Sequence, residues 1–152
     1  MAQHHITASL LIHAPAQRVY AIIADYRNGH PRMLPKPYFV ALSVEQGGMG
    51  AGTVINFQMK VMGSTRTFHA TITEPEPGRV LMESDPQAGT TTTFTVDPHD
   101  NGQSAYVTIT TELQLPDGFS GKIQSWMTER TLRPIYMKEL EQLAAVAANS
   151  DV

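Results

Sequence analysis

The chain has 152 residues, a formal net charge of −3 and no cysteine. A chain of this length buries about 68–70% of its unfolded surface around one core, so residues 1–152 are expected to form a single domain. The missing cysteine excludes disulfides, thiolate metal sites and thiol nucleophiles, and the few scattered charges argue against a nucleic-acid-binding face.

Residues 4–13 alternate, with Ile6, Ala8, Leu10 and Ile12 on one face, the pattern of a half-buried strand. Ala14-Pro15 ends it, and Pro15 suits the first position of a helix. Val19, Ile22, Ile23 and Tyr26 then recur at helical spacing, which predicts a short amphipathic helix ending near Asp25-Tyr26. Residues 27–37 carry Gly29, Pro31, Pro35 and Pro37 and leave room for at most a short second helix around Arg32-Met33-Leu34.

Six more strands follow. Residues 38–46 are the first, and Gly47-Gly48-Met49-Gly50-Ala51-Gly52 is its turn. A glycine-rich loop raises phosphate binding, but no Gly-Lys-Ser/Thr follows and the next segment reads as strand. A mobile or bulged hairpin loop is the better reading. Residues 53–62 place Ile55, Phe57, Met59 and Val61 on one face. A Gly63-Ser64 turn would pair Met62 with Thr65, Met59 with Phe68, Phe57 with Ala70 and Ile55 with Ile72 in the next strand, residues 65–74. Arg66 would then lie opposite Val61 on the inner face near the rim, and His69 opposite Gln58 outside. After Pro75-Glu76-Pro77-Gly78, residues 79–85 admit two settings. A four-residue loop turns Leu81 and Glu83 inward; three or five residues turn Val80, Met82 and Ser84 inward. Residues 90–96 put Thr92, Phe94 and Val96 on one face, and residues 97–102 form a polar turn. Residues 104–115 put Ala105, Val107, Ile109, Thr111 and Leu113 inside.

The last segment, about 117–147, predicts one long helix that Asp117 or Ser120 can cap. At about 100° per residue, Phe119, Ile123, Trp126, Met127 and Pro134 share a side with Arg130 in its middle. Leu132, Tyr136, Leu140, Leu143 and Ala147 share another, half a turn away. The apolar stripe changes face near Pro134, where an interior proline kinks a helix. The second half is expected to anchor on the sheet and the first half to cover a hollow. The whole predicts an α+β fold: a curved seven-stranded antiparallel sheet wrapped around a long C-terminal helix, with one or two short helices after the first strand.

No apolar run reaches the roughly 20 residues that span a bilayer, so stable membrane insertion is not expected. No signal-peptide pattern opens the chain, and a cytoplasmic location is the expectation. The histidines (His4, His5, His13, His30, His69 and His99) form no helical pair with a carboxylate partner, so no metal and no cofactor are expected. No Gly-x-Ser-x-Gly sequence marks a serine nucleophile.

The stretches Ala14-Pro15, Val19-Tyr20 and Ile23-Ala24-Asp25-Tyr26, the segment 31–37, the hairpin Gly50-Ala51-Gly52-Thr53 and the ending Pro134-Ile135-Tyr136-Met137-Lys138-Glu139-Leu140-Glu141-Gln142-Leu143 resemble the START-like, Bet v 1-like superfamily. Within it they are most similar to the SRPBCC, or polyketide cyclase/dehydrase, group. The resemblance implies a helix-grip fold with a deep apolar cavity between sheet and long helix. Members bind lipids, sterols, polyketides, quinones or plant hormones, and some are aromatases or cyclases.

A ligand surface is therefore expected from Phe57, Met59, Phe68 and Ile109 on the sheet and Phe119, Ile123, Trp126, Met127 and Arg130 on the helix. Arg130 could orient a polar ligand group, or pack its stem and reach water at the mouth. Glu83, Arg66 and Arg130 are weak catalytic candidates, and a buried Glu83–Arg66 pair would need full hydrogen bonding. Three functions compete. The first is binding or carrying a hydrophobic small molecule, which needs a cavity above roughly 300 Å³. The second is a cyclase, aromatase or dehydratase, which needs convergent titratable groups in that cavity. The third is an interaction module whose apolar half-helix docks a partner or, as a homodimer, a second copy. On this reading Arg130 and Trp126 serve binding, and Leu140 and Leu143 serve stability.

Overall fold

The computed structural model describes residues 1–61 and 63–149. Its elements are β1 (Ala2–Ile12), α1 (Ala16–Ala24), α2 (His30–Met33), β2 (Phe39–Gln46), β3 (Val54–Val61), β4 (Ser64–Glu76), β5 (Val80–Asp85), β6 (Thr90–His99), β7 (Ser104–Leu115) and α3 (Gly118–Ala148). The strands form one antiparallel sheet in the order β1-β7-β6-β5-β4-β3-β2. The α1–α2 crossover carries the chain from one edge strand to the other, and α3 lies in the curl. This is the helix-grip α+β fold.

Alternation in β1, β6 and β7 directs Ile6, Ile12, Phe94, Val96, Val107 and Ile109 into the core. They meet Val19, Ile22 and Ile23 of α1 and Leu140, Leu143 and Ala147 of α3. Each large aliphatic side chain buried this way contributes about 1.5–3 kcal/mol. α3 packs on β1, β7, α1 and α2.

The β3–β4 register differs from the predicted one by two residues. Ser64 belongs to β4 and pairs with Val61; Met59 faces Arg66, Phe57 faces Phe68 and Ile55 faces Ala70. His69 lies opposite Asn56, with its ring 3.0 Å from Glu45 on the outer surface. A shift of two keeps every side chain on its predicted face, because strand side chains alternate with period two. The predicted Met62–Thr65 pair lies outside the described residues.

β4 runs on through Pro75 to Glu76, with an irregularity between Thr73 and Glu76. Ile72 then faces Glu83, Leu81 is fully buried, and Glu83 points inward. β6 likewise runs through Asp97 and Pro98 to His99. Its turn is reduced to the residues after His99, where Asp100 and Asn101 take left-handed φ of 54° and 57°, which these residue types tolerate.

The glycine-rich loop is fastened to the end of α1. Gly48 carbonyl accepts from Tyr26 N–H at 2.8 Å, and Gly50 N–H donates to Ala24 carbonyl at 2.9 Å. Ala51 N–H donates to the Glu74 carboxylate at 2.8 Å. Asp117 stands at the N-cap of α3 without a capping bond; its carboxylate pairs with the chain's amino terminus at 3.1 Å.

α3 is continuous through Pro134. Its half before the proline does not turn the predicted apolar stripe to the sheet. Phe119 is 80% exposed, Trp126 61%, Met127 46% and Ile123 44%. The reason is helical phase. Leu140 and Tyr136 fix the inward side, and stepping back by four residues reaches Leu132, Thr128 and Gln124. The proline does not rotate that side, so the earlier half presents a mostly polar edge inward and its aromatic stripe outward.

Candidate functional site

A cavity of about 420 Å³ lies between α3 and the sheet. Its walls include Leu34, Phe39, Ile55, Phe57, Met59, Phe68, Phe94 and Ile109, with Met127 and Leu132 from α3. Phe57 and Phe68 stack at 5.0 Å between centroids as a direct cross-strand pair. The outer end carries exposed Ser64, Arg66 and Gln124; the Arg66 guanidinium lies 5.5 Å from the Phe68 ring.

Five of the nine predicted ligand-surface residues thus line the cavity: Phe57, Met59, Phe68, Ile109 and Met127. Phe119, Ile123, Trp126 and Arg130 do not. Arg130 is exposed and stacks on Trp126 at 5.3 Å, on the outward side of the helix. Of the catalytic candidates, Glu83 lines the inner part, Arg66 stays at the outer end, and Arg130 lies outside. The Glu83–Arg66 pair does not form. Glu83 has other partners.

The inner end is built from the sheet upward. Glu83, Thr92 and Thr111 lie directly opposite one another across β5, β6 and β7, a polar row on the inner face of the sheet. Thr92 and Thr111 hydroxyls are 2.8 Å apart, and Thr111 and Tyr136 hydroxyls 2.6 Å. Tyr26, just past α1, donates its hydroxyl to Glu83 at 2.6 Å. His30, opening α2, stacks on Tyr26 at 4.3 Å and meets the Phe94 ring edge-on at 5.5 Å. Gly29 permits this placement: a Cβ there would lie 2.5 Å from the Ile22 carbonyl oxygen. Glu139, one turn beyond Tyr136, also lines the cavity; it is buried and has no hydrogen-bond partner among the described residues.

His30 Nδ1 is 2.7 Å from the Ile23 carbonyl oxygen, which only accepts, so Nδ1 carries the proton. Burial lowers this imidazole from 6.5 to about 4, despite the opposing bond to Ile23. The ring is neutral at ordinary pH, and its Nε2 is an acceptor 3.5 Å from Glu83 Oε2. Burial raises Glu83 from 4.5 to about 7, opposed by the Tyr26 hydrogen bond. Burial first, then the neighbouring Glu83 charge, raises Glu139 well above the carboxylate range. Burial and the Glu83 carboxylate raise the Tyr26 phenol. The site therefore holds two carboxyls that resist ionisation, a neutral imidazole and a short chain of hydroxyls. It can donate or accept hydrogen bonds and exchange protons near neutral pH.

Sequence reasoning had Thr92 and Thr111 inside and Glu83 as one of two settings. It missed Tyr26 and Tyr136 as anything but packing, and His30 and Glu139 altogether. Glu139 carried a usable signal: at about 100° per residue it falls at the margin of the Leu132–Tyr136–Leu140–Leu143 stripe, next to Leu132. His30 carried none, because its position depends on the Gly29 approach. Among the described residues no cluster of three or more His, Asp or Glu could hold a metal ion. No described helix is long and apolar enough to cross a membrane.

Residues 3–148 match the family model for polyketide cyclase/dehydrase and lipid transport, and the chain belongs to that family. Among solved structures it is similar to the KanY protein, with 26% identity, a TM-score of 0.83 and coverage of 98% of this chain and 100% of that one. The Zhui aromatase/cyclase from Streptomyces sp. R1128 shares the fold at 16% identity, with a TM-score of 0.75 and coverage of 97% and 94%. Norcoclaurine synthase from Thalictrum flavum does so at 15% identity, with a TM-score of 0.70 and coverage of 98% and 88%. No curated protein matches the sequence.

Proposed function

We propose that the protein binds or carries a hydrophobic small molecule bearing a polar group, held in the cavity between the sheet and α3. The observation that carries this reading is the cavity itself. Its volume of about 420 Å³ exceeds the roughly 300 Å³ at which ligand pockets begin, and its apolar walls close on one buried polar end. The family description, which includes lipid transport, supports it.

A second reading is a cyclase or dehydratase using the same cavity. It is favoured by Glu83, a buried carboxyl raised to about 7 and so poised to give or take a proton near neutral pH. The aromatase/cyclase of similar fold and the family description support it. Arg130 has no part in either reading. The exposed Phe119, Ile123 and Trp126 still leave α3 a surface on which a partner or a second copy could dock.

Native mass spectrometry of the purified protein tests both cavity readings. A co-purifying apolar molecule, lost on denaturation, is the expected result. Absence of any such molecule, together with failure to bind a panel of apolar probes, would sink the binding reading. Incubating the captured molecule with fresh protein separates carrier from enzyme. Conversion with wild type but not with Glu83→Gln, read as a changed mass for water loss or a changed chromatographic retention for an isomerising ring closure, supports catalysis, and no conversion with either removes it.

A further inference from the structure

We propose that the polar group of the ligand is a protonated amine, seated against Glu139 and Glu83 at the inner end of the cavity. The inference rests on the reading that the cavity binds a small molecule, and it names the class.

The first argument is the inventory of charge. The titratable side chains lining the cavity are Glu83, Glu139, His30 and Tyr136 at the inner end and Arg66 at the exposed outer end. Tyr26 faces Glu83 from beyond α1. The bond of His30 Nδ1 to the Ile23 carbonyl leaves Nε2 as the acceptor toward Glu83, and burial keeps the ring neutral. The inner end thus holds two carboxyls and no cation. A carboxylate ligand head would add a third acidic group beside Glu83 and Glu139 with no cation to pair it, and would be turned outward, toward Arg66.

The second argument is the count of donors and acceptors. Glu83 accepts the Tyr26 proton, and the Thr92–Thr111–Tyr136 hydroxyls spend two of their three protons on one another. Glu139 is 3% exposed, opens onto the cavity and has no hydrogen-bond partner among the described residues. Once it gives up its proton, the Glu139 carboxylate offers two oxygens that only accept, and no described side chain donates to them. An ammonium group brings three donors and a positive charge, an alcohol brings one donor, and a carbonyl brings none. Hydrogen bonds in which the donor or the acceptor is ionised are stronger than those between neutral groups.

The third argument is the remainder of the cavity. Ile55, Phe57, Phe94 and Ile109 offer a hydrocarbon or aromatic body an apolar wall. The ligand class is therefore a lipophilic amine. Its binding has a defined proton balance. The free protein holds the carboxyl as a neutral acid, the ammonium enters charged, and the proton leaving the carboxyl goes to solvent. No proton is consumed and one is released.

The test compares three probes with one skeleton, naphthylethylamine, naphthylethanol and naphthylacetate, by isothermal titration calorimetry at neutral pH in two buffers of different ionisation enthalpy. The amine is expected to bind at least about tenfold more tightly than the alcohol, and the acid most weakly. Amine binding should release protons, and alcohol binding should not. Glu139→Gln should remove the preference of the amine over the alcohol and abolish the proton release that accompanies amine binding. Glu83→Gln, checked for folding by circular dichroism, is the second variant. An alcohol or acid that binds as well as the amine overturns the proposal and leaves the binding reading standing. So does a preference that survives both substitutions. If none of the three probes binds, and no other apolar probe does, the binding reading falls and the proposal with it.

Discussion

Glu83 and His30 sit 3.5 Å apart, and burial shifts both toward neutrality. Their contributions to stability have opposite slopes. Unfolded, the Glu83 carboxyl loses its proton near pH 4.5; folded, it keeps it to about 7. The folded state binds more protons in that window, so this contribution is intact below 4.5 and declines as pH rises through about 7. His30 behaves oppositely. The unfolded ring protonates below 6.5 and the folded one only near 4, so stability is lost as pH falls between those values. Glu139, raised in the folded state, adds to the decline at higher pH. Glu83→Gln isolates one slope. Its amide oxygen can accept from Tyr26 and its amide N–H can donate to His30 Nε2, so the geometry is kept without the ionisation. The variant should match wild type near pH 4.5 and become more stable above 7, by up to roughly 3 kcal/mol. Urea unfolding at the two ends of that range reads the difference. A constant offset at every pH would show that Glu83 is not held neutral by the fold.

α3 divides by burial and not by hydrophobicity. Leu140 and Leu143 are fully buried after Pro134, whereas Trp126 and Arg130 before it stack on each other in solvent. Leu140→Ala should cost about 2–5 kcal/mol, the range for emptying a packed aliphatic site. Trp126→Ala and Arg130→Ala should change stability by no more than about 0.5 kcal/mol and leave small-molecule affinity unaltered. Thermal unfolding and probe titration of the three variants check this; weakened binding in Trp126→Ala would put the cavity mouth on the outer face of the helix. The anchor half was legible because Leu132, Tyr136, Leu140, Leu143 and Ala147 hold one phase over many residues. The cover half was not, because its aromatics form an equally regular stripe and periodicity alone does not say which side meets the sheet. Strand faces were legible for a similar reason, since period two survives an error of two in register. The pairing of Ile72 with Glu83 was not, because it depends on an irregularity between Thr73 and Glu76 that no alternation announces.

At the scale of the molecule, the packed core and the hollow share one sheet. Core side chains of α1 and of the second half of α3 meet β1, β6 and β7, while the cavity lies between α3 and the inner faces of β3 to β7, with Ile55, Phe94 and Ile109 belonging to both. Protein interiors otherwise pack as densely as organic crystals, so about 420 Å³ of unfilled space lined by Phe57, Met59, Phe68 and Ile109 is space the fold withholds from its core. A chain shaped by stability alone would close it with larger side chains. Met59, partly buried on the cavity wall, tests this directly. Met59→Trp projects a larger ring into the hollow. If the hollow is a ligand site, the variant should keep its stability or gain up to about 1 kcal/mol while apolar probes lose at least about tenfold in affinity. If the wall around Met59 is ordinary core, overpacking should instead cost about 1–3 kcal/mol. A Met59→Trp protein that unfolds earlier and still binds its probes would mean that the space beside Met59 does not hold the ligand.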